Sequence, residues 1–327
     1  MASTPRVSVN EEHGISWLNW PGYKPETFNP ITGCSPASEG CAYCWAEAFS
    51  KRMGWPWGEP ILHPERLEEP LHWRKSRCVF VASMTDLWHE ETPFAWIDEV
   101  FARVGDTLHT GDGRHRWIFL TKRPARMLEW FAHAKRGHSG WFNSRGLLDL
   151  GDTIVCVTAE NQARADERIP LLLQAPVRLH GVSLEPLLSA INLAAWLPGC
   201  IDVPDEVKAM GRAMMSRGRW LNANVSRPNL DWVIAGGESG GPLARSLVER
   251  CPSIEISLTT NAEAGAACLG TGWRLKSDRA EWVRSIRDQC QAAGTAFYFK
   301  GGGGPHQGAT GDLLDGKAYH EWPEVSR

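Results

Sequence analysis

Three cysteines crowd into one stretch, NPITGCSPASEGCAYCWAEAF, where Cys34, Cys41 and Cys44 stand in a C-x6-C-x2-C spacing. Glycine, proline and serine dominate up to Cys41; from there CAYCWAEAFSKRM is compatible with a helix. A loop running into a helix suits metal-bound thiolates, because the metal and the partial positive charge of a helix start both favour the sulfur anion. Three arrangements compete. Three thiolates can hold a [4Fe–4S] cluster with one iron left open, whereas a closed cluster needs four. A structural zinc site also needs four ligands and commonly presents two close pairs; here Cys41 and Cys44 form one pair, and His63 is a candidate to complete a set. The third arrangement is three unconnected cysteines. The open-iron cluster is the expectation, with Cys34, Cys41 and Cys44 as its ligands. Of the nine cysteines, Cys78, Cys156 and Cys290 sit in apolar surroundings that suit a small core filler.

The elements that must position such a loop are legible as short apolar runs: CVFVAS (78–83), RWIFLTKR (116–123), DTIVCVTAE (152–160), VRLHGVSLEP (177–186), DWVIAGGES (231–239) and TAFYFKGGG (295–303). Near-continuous apolar runs mark strands buried on both faces, as in a parallel sheet. Helical stretches lie between them, such as PFAWIDEVFARVGDTL, ARADERIPLLLQA and RAEWVRSIRDQCQAAG, the last ending at Gly294. The alternation predicts an α/β fold of βα units, with a further strand expected around Gly14–Trp20 ahead of the cysteines. Strand number alone fits a partial barrel or an open doubly wound sheet. The expectation is one domain over 1–327, with a cysteine loop at 30–50, a short polar excursion at 136–150, an inserted segment at about 251–276 holding Cys251 and Cys268, and a C-terminal loop at 301–327.

In α/β barrels the chemistry sits at the carboxy ends of the strands. Every run ends there in polar residues: Ser83, Thr85 and Asp86; Lys122 and Arg123; Thr158 and Glu160; Ser183 and Glu185; Glu238; Lys300.

The balance of 35 basic and 38 acidic side chains leaves a formal charge of −3, so no global basic field draws the chain to nucleic acid. Local basic groups exist at Lys51-Arg52, Arg74-Lys75-Ser76-Arg77 and Lys122-Arg123 with Arg126. No apolar run approaches the ~18 residues of a membrane span, and the polar start is unlike a signal peptide, so a cytoplasmic protein without membrane association is expected. The 17 tryptophans against 4 tyrosines admit two readings, core packing and stacking on a flat ligand.

The cysteine trio with Tyr43 resembles the cluster loop of radical S-adenosylmethionine (SAM) enzymes, whose commonest spacing, C-x3-C-x2-C, has a shorter first gap. The segments SMTDLWHEETP, FLTKRPARM, VTAENQARADERIP, GVSLEPLLSAINL, WVIAGGESG, WVRSIRDQC, FYFKGGGG and GKAYHEWP are similar to those of a phage- and prophage-associated family of uncharacterised proteins placed with the radical-SAM proteins. The resemblance implies a partial (β/α) barrel, a [4Fe–4S] cluster, SAM, and reductive cleavage of SAM followed by hydrogen abstraction from a substrate. It implies an external electron donor of flavodoxin or ferredoxin type, and a nucleic-acid or nucleotide substrate. It places Ser83, Thr85 and Asp86 near the methionyl amine and Lys122 or Arg123 near the carboxylate. Thr158, Glu160 or Glu185 would meet the ribose hydroxyls. The GGES string follows the sixth strand rather than the second, so Glu238, Arg245 and Lys300 are candidates for catalysis or substrate contact. The alternative is a non-catalytic zinc or Fe–S protein that partners a phage-encoded enzyme.

Overall fold

The computed structural model describes residues 15–109, 115–199, 229–241, 247–250, 273–304 and 311–324. Seven strands form one parallel sheet: β1 (Lys24–Phe28), β2 (Arg77–Val81), β3 (Arg116–Thr121), β4 (Asp152–Thr158), β5 (Leu179–Leu184), β6 (Trp232–Gly236) and β7 (Ala296–Gly301). They are hydrogen-bonded in chain order, each beside its sequence neighbour. Right-handed crossovers without reversal of strand order put every helix on the same face. The sheet therefore curls into a half-barrel, which decides against the doubly wound alternative. The helices are α1 (Trp45–Met53), α2 (Phe94–Asp106), α3 (Pro124–Gly137), α4 (Gln162–Leu172) and α5 (Ser277–Ala293). Gly54 and Gly294 end α1 and α5 in the left-handed conformation, where a Cβ is unfavourable.

Strand alternation sends side chains to two cores. Val79, Val81, Trp117, Phe119, Val155, Val157, Val233 and Phe297 pack outward against helix residues such as Ile97, Phe101, Trp130, Ile169 and Ile286. Cys78, Ile118, Ile154, Cys156, Trp232, Ile234 and Tyr298 point into the concave face, which Trp17, Leu18 and Trp20 close from below. Trp322 joins this plug and donates its indole N–H to the Trp17 carbonyl at 3.0 Å. Most buried tryptophans thus serve packing. Trp45 and Trp55 do not: both are about half exposed.

All six apolar runs form strands, but the seventh strand is not at Gly14–Trp20. Residues Ser16–Leu18 form a short 3-10 turn, and the first strand is Lys24–Phe28, hydrogen-bonded to β2 from Lys24↔Arg77 to Phe28↔Val81. One further expectation falls mostly outside the described residues, and one needs correction. Of the 251–276 segment, residues 251–272 lie outside the described residues, while Trp273–Leu275 pairs antiparallel with Val248–Arg250. The C-terminal stretch is not a plain loop. It makes a hairpin from Leu313–Leu314 and Lys317–Ala318, and then covers the free edge of β7, where Phe299 N–H donates to Tyr319 O at 2.8 Å. Leu314 and Tyr319 are buried there. The 136–150 excursion likewise buries Leu148 and Leu150.

Beyond the sheet edge, β6 and β7 continue side by side on glycine backbone. Gly237 N–H donates to Gly301 O at 2.9 Å, and Gly304 N–H donates to Glu238 O at 2.9 Å. A Cβ on Gly237 would lie 1.9 Å from Gly302 O. Because backbone rather than a flexible side chain fills that space, Gly237→Ala is expected to destabilise by ~1–3 kcal/mol, as overpacking does. A denaturant midpoint equal to that of the native protein would show that the two strands can part freely.

One buried histidine makes stability pH-dependent. His180 on β5 is buried; its Nε2 lies 3.0 Å from Ala175 O, and burial holds its pKa down at about 4. The folded state resists a proton that the unfolded chain accepts near its ordinary value. The His180 contribution is therefore full above the unfolded pKa and is lost as pH falls from about 6.5 toward 4. Burial raises Asp231, which accepts from His180 N–H at 2.8 Å, to about 6, and this acts in the opposite sense over the same window. Its side chain is 35% exposed, which discounts its share. His180→Gln is expected to flatten the acid limb of the stability curve by up to about 3 kcal/mol. Parallel curves for the two proteins between those pH values would remove His180 as the cause.

Candidate functional site

The cysteine loop leaves the carboxy end of β1, crosses the carboxy ends of β2, β3 and β4, and enters α1 at Cys44. Each crossing is tied down. Over β2, Gly33 N–H donates to Met84 O at 3.1 Å and Thr85 Oγ1 donates to Gly33 O. Gly33 has φ +88°, and a Cβ there would meet Glu59 O at 2.1 Å. Asn29 Oδ1 accepts from Ser83 Oγ at 3.2 Å and from Met84 N–H at 3.0 Å. Ser83, Thr85 and their neighbours thus hold the loop to the sheet.

Over β3 the anchor is Arg123. Its guanidinium donates to Ser35 O at 2.9 Å, Glu90 at 2.7 Å and Asp86 at 3.3 Å, and its Nη1 lies 3.8 Å from Cys34 Sγ. Asp86 also accepts from Thr121 Oγ1 at 2.7 Å, Lys122 N–H at 2.9 Å and Trp88 N–H at 3.2 Å. Both of its oxygens are engaged, and Asp86 and Arg123 are 6% and 8% exposed. His89 Nε2 lies 2.6 Å from Ser35 Oγ, while Glu91 N–H donates to Nδ1 at 3.1 Å. That pattern assigns the proton of the neutral ring to Nε2, and burial lowers the His89 pKa.

Over β4 the anchor is Glu160, which is fully buried and accepts from Ser38 Oγ on the loop and from Arg168 Nη1 of α4 at 2.9 Å. Gly40 lies against it; a Cβ there would come within 2.4 Å of the Glu160 side chain. Glu39 reaches Asn161 and Arg164 at the start of α4. These contacts, led by the local hydrogen bond at its own backbone, hold the Glu39 carboxyl down at about 2.

The trio itself is spread along this anchored loop. Burial pushes the Cys34 thiol up to about 11, with Asp86 adding to the rise and Arg123 opposing it. Cys41 Sγ accepts from Ala37 N–H at 3.5 Å, and Cys44 is the residue that begins α1. Among the described residues the three sulfurs do not lie within 4.8 Å of one another, nor with a fourth His, Cys, Asp or Glu. A single tetrahedral zinc, with its sulfurs at ~2.3 Å, requires ~3.8 Å between them. His63, the weighed fourth ligand, faces Thr32 Oγ1 at 2.8 Å and Glu65 at 3.5 Å. The donor set is three thiols and no converged fourth ligand. Three thiols are the number that a [4Fe–4S] cluster with one open iron takes, and the described residues bring no fourth ligand to them.

The concave face turns polar above the tryptophan plug. Thr158 and Ser183 are paired in register and buried. Glu185 forms an ion pair with Lys300 across Gly236, where a Cβ would lie 3.3 Å from Lys300 Cβ and 3.5 Å from Glu185 Cδ. Glu238 is buried in the glycine-rich edge after β6. Arg245 lies outside the described residues. An open cleft of 540 Å³ runs between α1 and this edge, lined by Tyr43, Cys44, Trp45, Phe49, Lys51, Arg52, Ser239 and Gly240. Of the trio, Cys44 borders it. Sequence reasoning assigned no role to Ser35, Ser38, His89 and Arg168; the partners of the first three lie 54 to 122 residues away in the chain, while Arg168 reaches back to Thr158 and Glu160 only 10 and 8 residues before it.

The fold and this loop define an α/β half-barrel protein with a three-cysteine loop strapped across the carboxy edge of its sheet. The chain belongs to the family described as "Protein of unknown function (DUF5131)", whose family model matches residues 14–255 and 267–323. No curated protein and no solved structure matches the chain. Among the described residues no helix is long and apolar enough to cross a membrane.

Proposed function

We propose that this chain is a radical-SAM-type enzyme whose [4Fe–4S] cluster is held by Cys34, Cys41 and Cys44, and that it acts on a nucleotide or nucleic-acid substrate. The observation that carries the reading is the position of the loop: it follows the first strand, precedes the first helix, and crosses the edge where half-barrel sites gather, with an open cleft beside Cys44. A [4Fe–4S] cluster held by Cys34, Cys41 and Cys44 would supply one-electron reduction of the SAM sulfonium, the chemistry by which such a site would come to abstract hydrogen from its substrate. An external donor of flavodoxin or ferredoxin type provides that electron.

The chain's own residues divide into two sets. Ser83, Thr85, Asp86, Arg123 and Glu160 are positioning residues, because their side chains are engaged with the loop or with the groups beside it. Thr158, Glu185, Lys300 and Glu238 line or adjoin the polar mouth, where ribose hydroxyls, an amino-acid carboxylate or substrate would bind. The Lys122 side chain is a further candidate for the carboxylate. Tyr43 and Trp45 are exposed on the cleft beside Lys51 and Arg52, a pairing of rings and cations that suits a base and its phosphate. The phage association implied by the resemblance accords with that substrate class.

The test is anaerobic. Purified protein is expected to be brown with bound iron and sulfide, to lose its colour in Cys41→Ala, and to form 5′-deoxyadenosine from SAM and dithionite. A colourless protein that binds zinc through the same cysteines and forms no deoxyadenosine would favour the non-catalytic alternative, a metalloprotein that partners a phage-encoded enzyme.

A further inference from the structure

We propose that Asp98, His133 and His138 form a second metal site, a three-ligand centre of the zinc class on the outer helical layer, separate from the cysteine loop. Asp98 lies on α2, His133 on α3, and His138 immediately after α3, where the chain turns out of the helix beyond Gly137. Asp98 Oδ2 is 3.1 Å from His133 Nε2 and 3.3 Å from His138 Nε2, and the three ligand atoms all fall within 4.8 Å of one another. Ligands at ~2.0–2.2 Å from a tetrahedral zinc stand ~3.4 Å apart, so the spacing admits an ion with little movement.

The surroundings are those of a supported site. The other oxygen, Asp98 Oδ1, accepts the Trp130 indole N–H at 2.9 Å, which turns Oδ2 toward the histidines. Trp130 is fully buried, so this orientation is fixed by the core. The His138 ring stacks on Trp141 with centroids 4.1 Å apart and planes 10° apart, and the His133 ring packs on Phe94 at 5.2 Å. Supporting contacts of this kind hold ligand rings in the binding orientation. The nearby Arg126 lies over Phe94 at 4.0 Å and pairs with Glu129 at 3.1 Å. The histidine side chains are 39% and 37% exposed, which leaves a fourth position open to solvent, as in zinc sites that bind water. The metal-free arrangement, with both imidazoles donating to one oxygen, predicts no dependence on zinc.

The test uses the full chain with Cys34, Cys41 and Cys44 all replaced by alanine, so that failure of the cluster reading leaves this one intact. One equivalent of zinc is expected to bind. His133→Ala and His138→Ala are each expected to weaken it by at least the ~10–100-fold that loss of a supporting group alone produces. Cobalt(II) added to the unsubstituted chain gives a second reading that does not depend on the triple variant folding. In the difference between the unsubstituted chain and His138→Ala, which cancels any cobalt held by the cysteines, ligand-field bands without thiolate charge transfer should appear. A folded cysteine-free chain that binds no zinc, zinc binding unchanged by either histidine substitution, or cobalt bands indifferent to His138→Ala would each overturn the proposal.

Discussion

Arg168→Met is expected to destabilise the protein by about 3–5 kcal/mol, the usual result of removing one partner from a buried ion pair. The pair it breaks is more secluded than the other ion pairs at the site: Glu160 is 0% exposed and Arg168 1%. Arg168 Nη1 also donates to Thr158 O at 2.8 Å, so β4 loses a second contact. Without the guanidinium, Glu160 retains Ser38 Oγ, and its charge stays out of water. The loss should reach the cysteine loop, because Ser38 and the close-packed Gly40 both rest on that carboxylate. Chemical denaturation measures the first effect, and proteolysis between Cys34 and Cys44 the second. Adding Glu160→Leu should recover most of the stability, since an apolar pair of similar size removes the stranded charge. It should not restore protection of the loop, which has then lost its acceptor. A single variant within about 0.5 kcal/mol of the native protein, the range of ordinary surface changes, would show that the pair carries no such weight.

That contrast between framework and anchoring marks what the sequence made legible. Six strands were readable because their apolar runs are continuous, as burial on both faces requires. The first strand was not. Lys24–Phe28 is an edge strand whose Lys24, Pro25 and Glu26 imitate a loop by residue type, although only Lys24 is exposed, and proline is tolerated at an edge. The apolar Trp17, Leu18 and Trp20 resemble a strand more closely, yet their burial comes from plugging the concave face. Composition also hid the C-terminal segment, whose few large residues, Leu314, Tyr319 and Trp322, do the packing among glycines. At the site, the polar residues expected after the strands do stand at the strands' carboxy ends. Their engagements were not readable: Ser38 meets Glu160 and Ser35 meets Arg123 across stretches of 122 and 88 residues. Residue type alone places Asp86 and Arg123 at a ligand, whereas geometry turns both toward the loop.

Arg123→Lys tests that division directly. The planar guanidinium serves Ser35 O, Glu90 and Asp86 at once while standing 3.8 Å from Cys34 Sγ; an ammonium cannot reproduce that fork. Asp86 is less stranded by the change than Glu160 is by loss of Arg168, since Thr121 Oγ1 and the backbone N–H groups of Lys122 and Trp88 still donate to it. The expected stability loss is therefore smaller, about 1–3 kcal/mol, the range for leaving buried polar groups unsatisfied. The effect on the loop should be the larger one. Ser35 O loses its donor, His89 alone still holds Ser35 Oγ, and the cation nearest Cys34 shifts away from a sulfur that burial already disfavours as an anion. Iron content after anaerobic reconstitution should fall well below that of the native protein, while the denaturation midpoint moves only modestly. Arg123→Met should lower both further. Were Arg123 instead a contact for the SAM carboxylate, Arg123→Lys would keep its iron and raise the SAM concentration needed for half-maximal deoxyadenosine formation. Iron content and SAM dependence, measured on the same preparation, separate an anchor of the cysteine loop from a ligand of the cofactor.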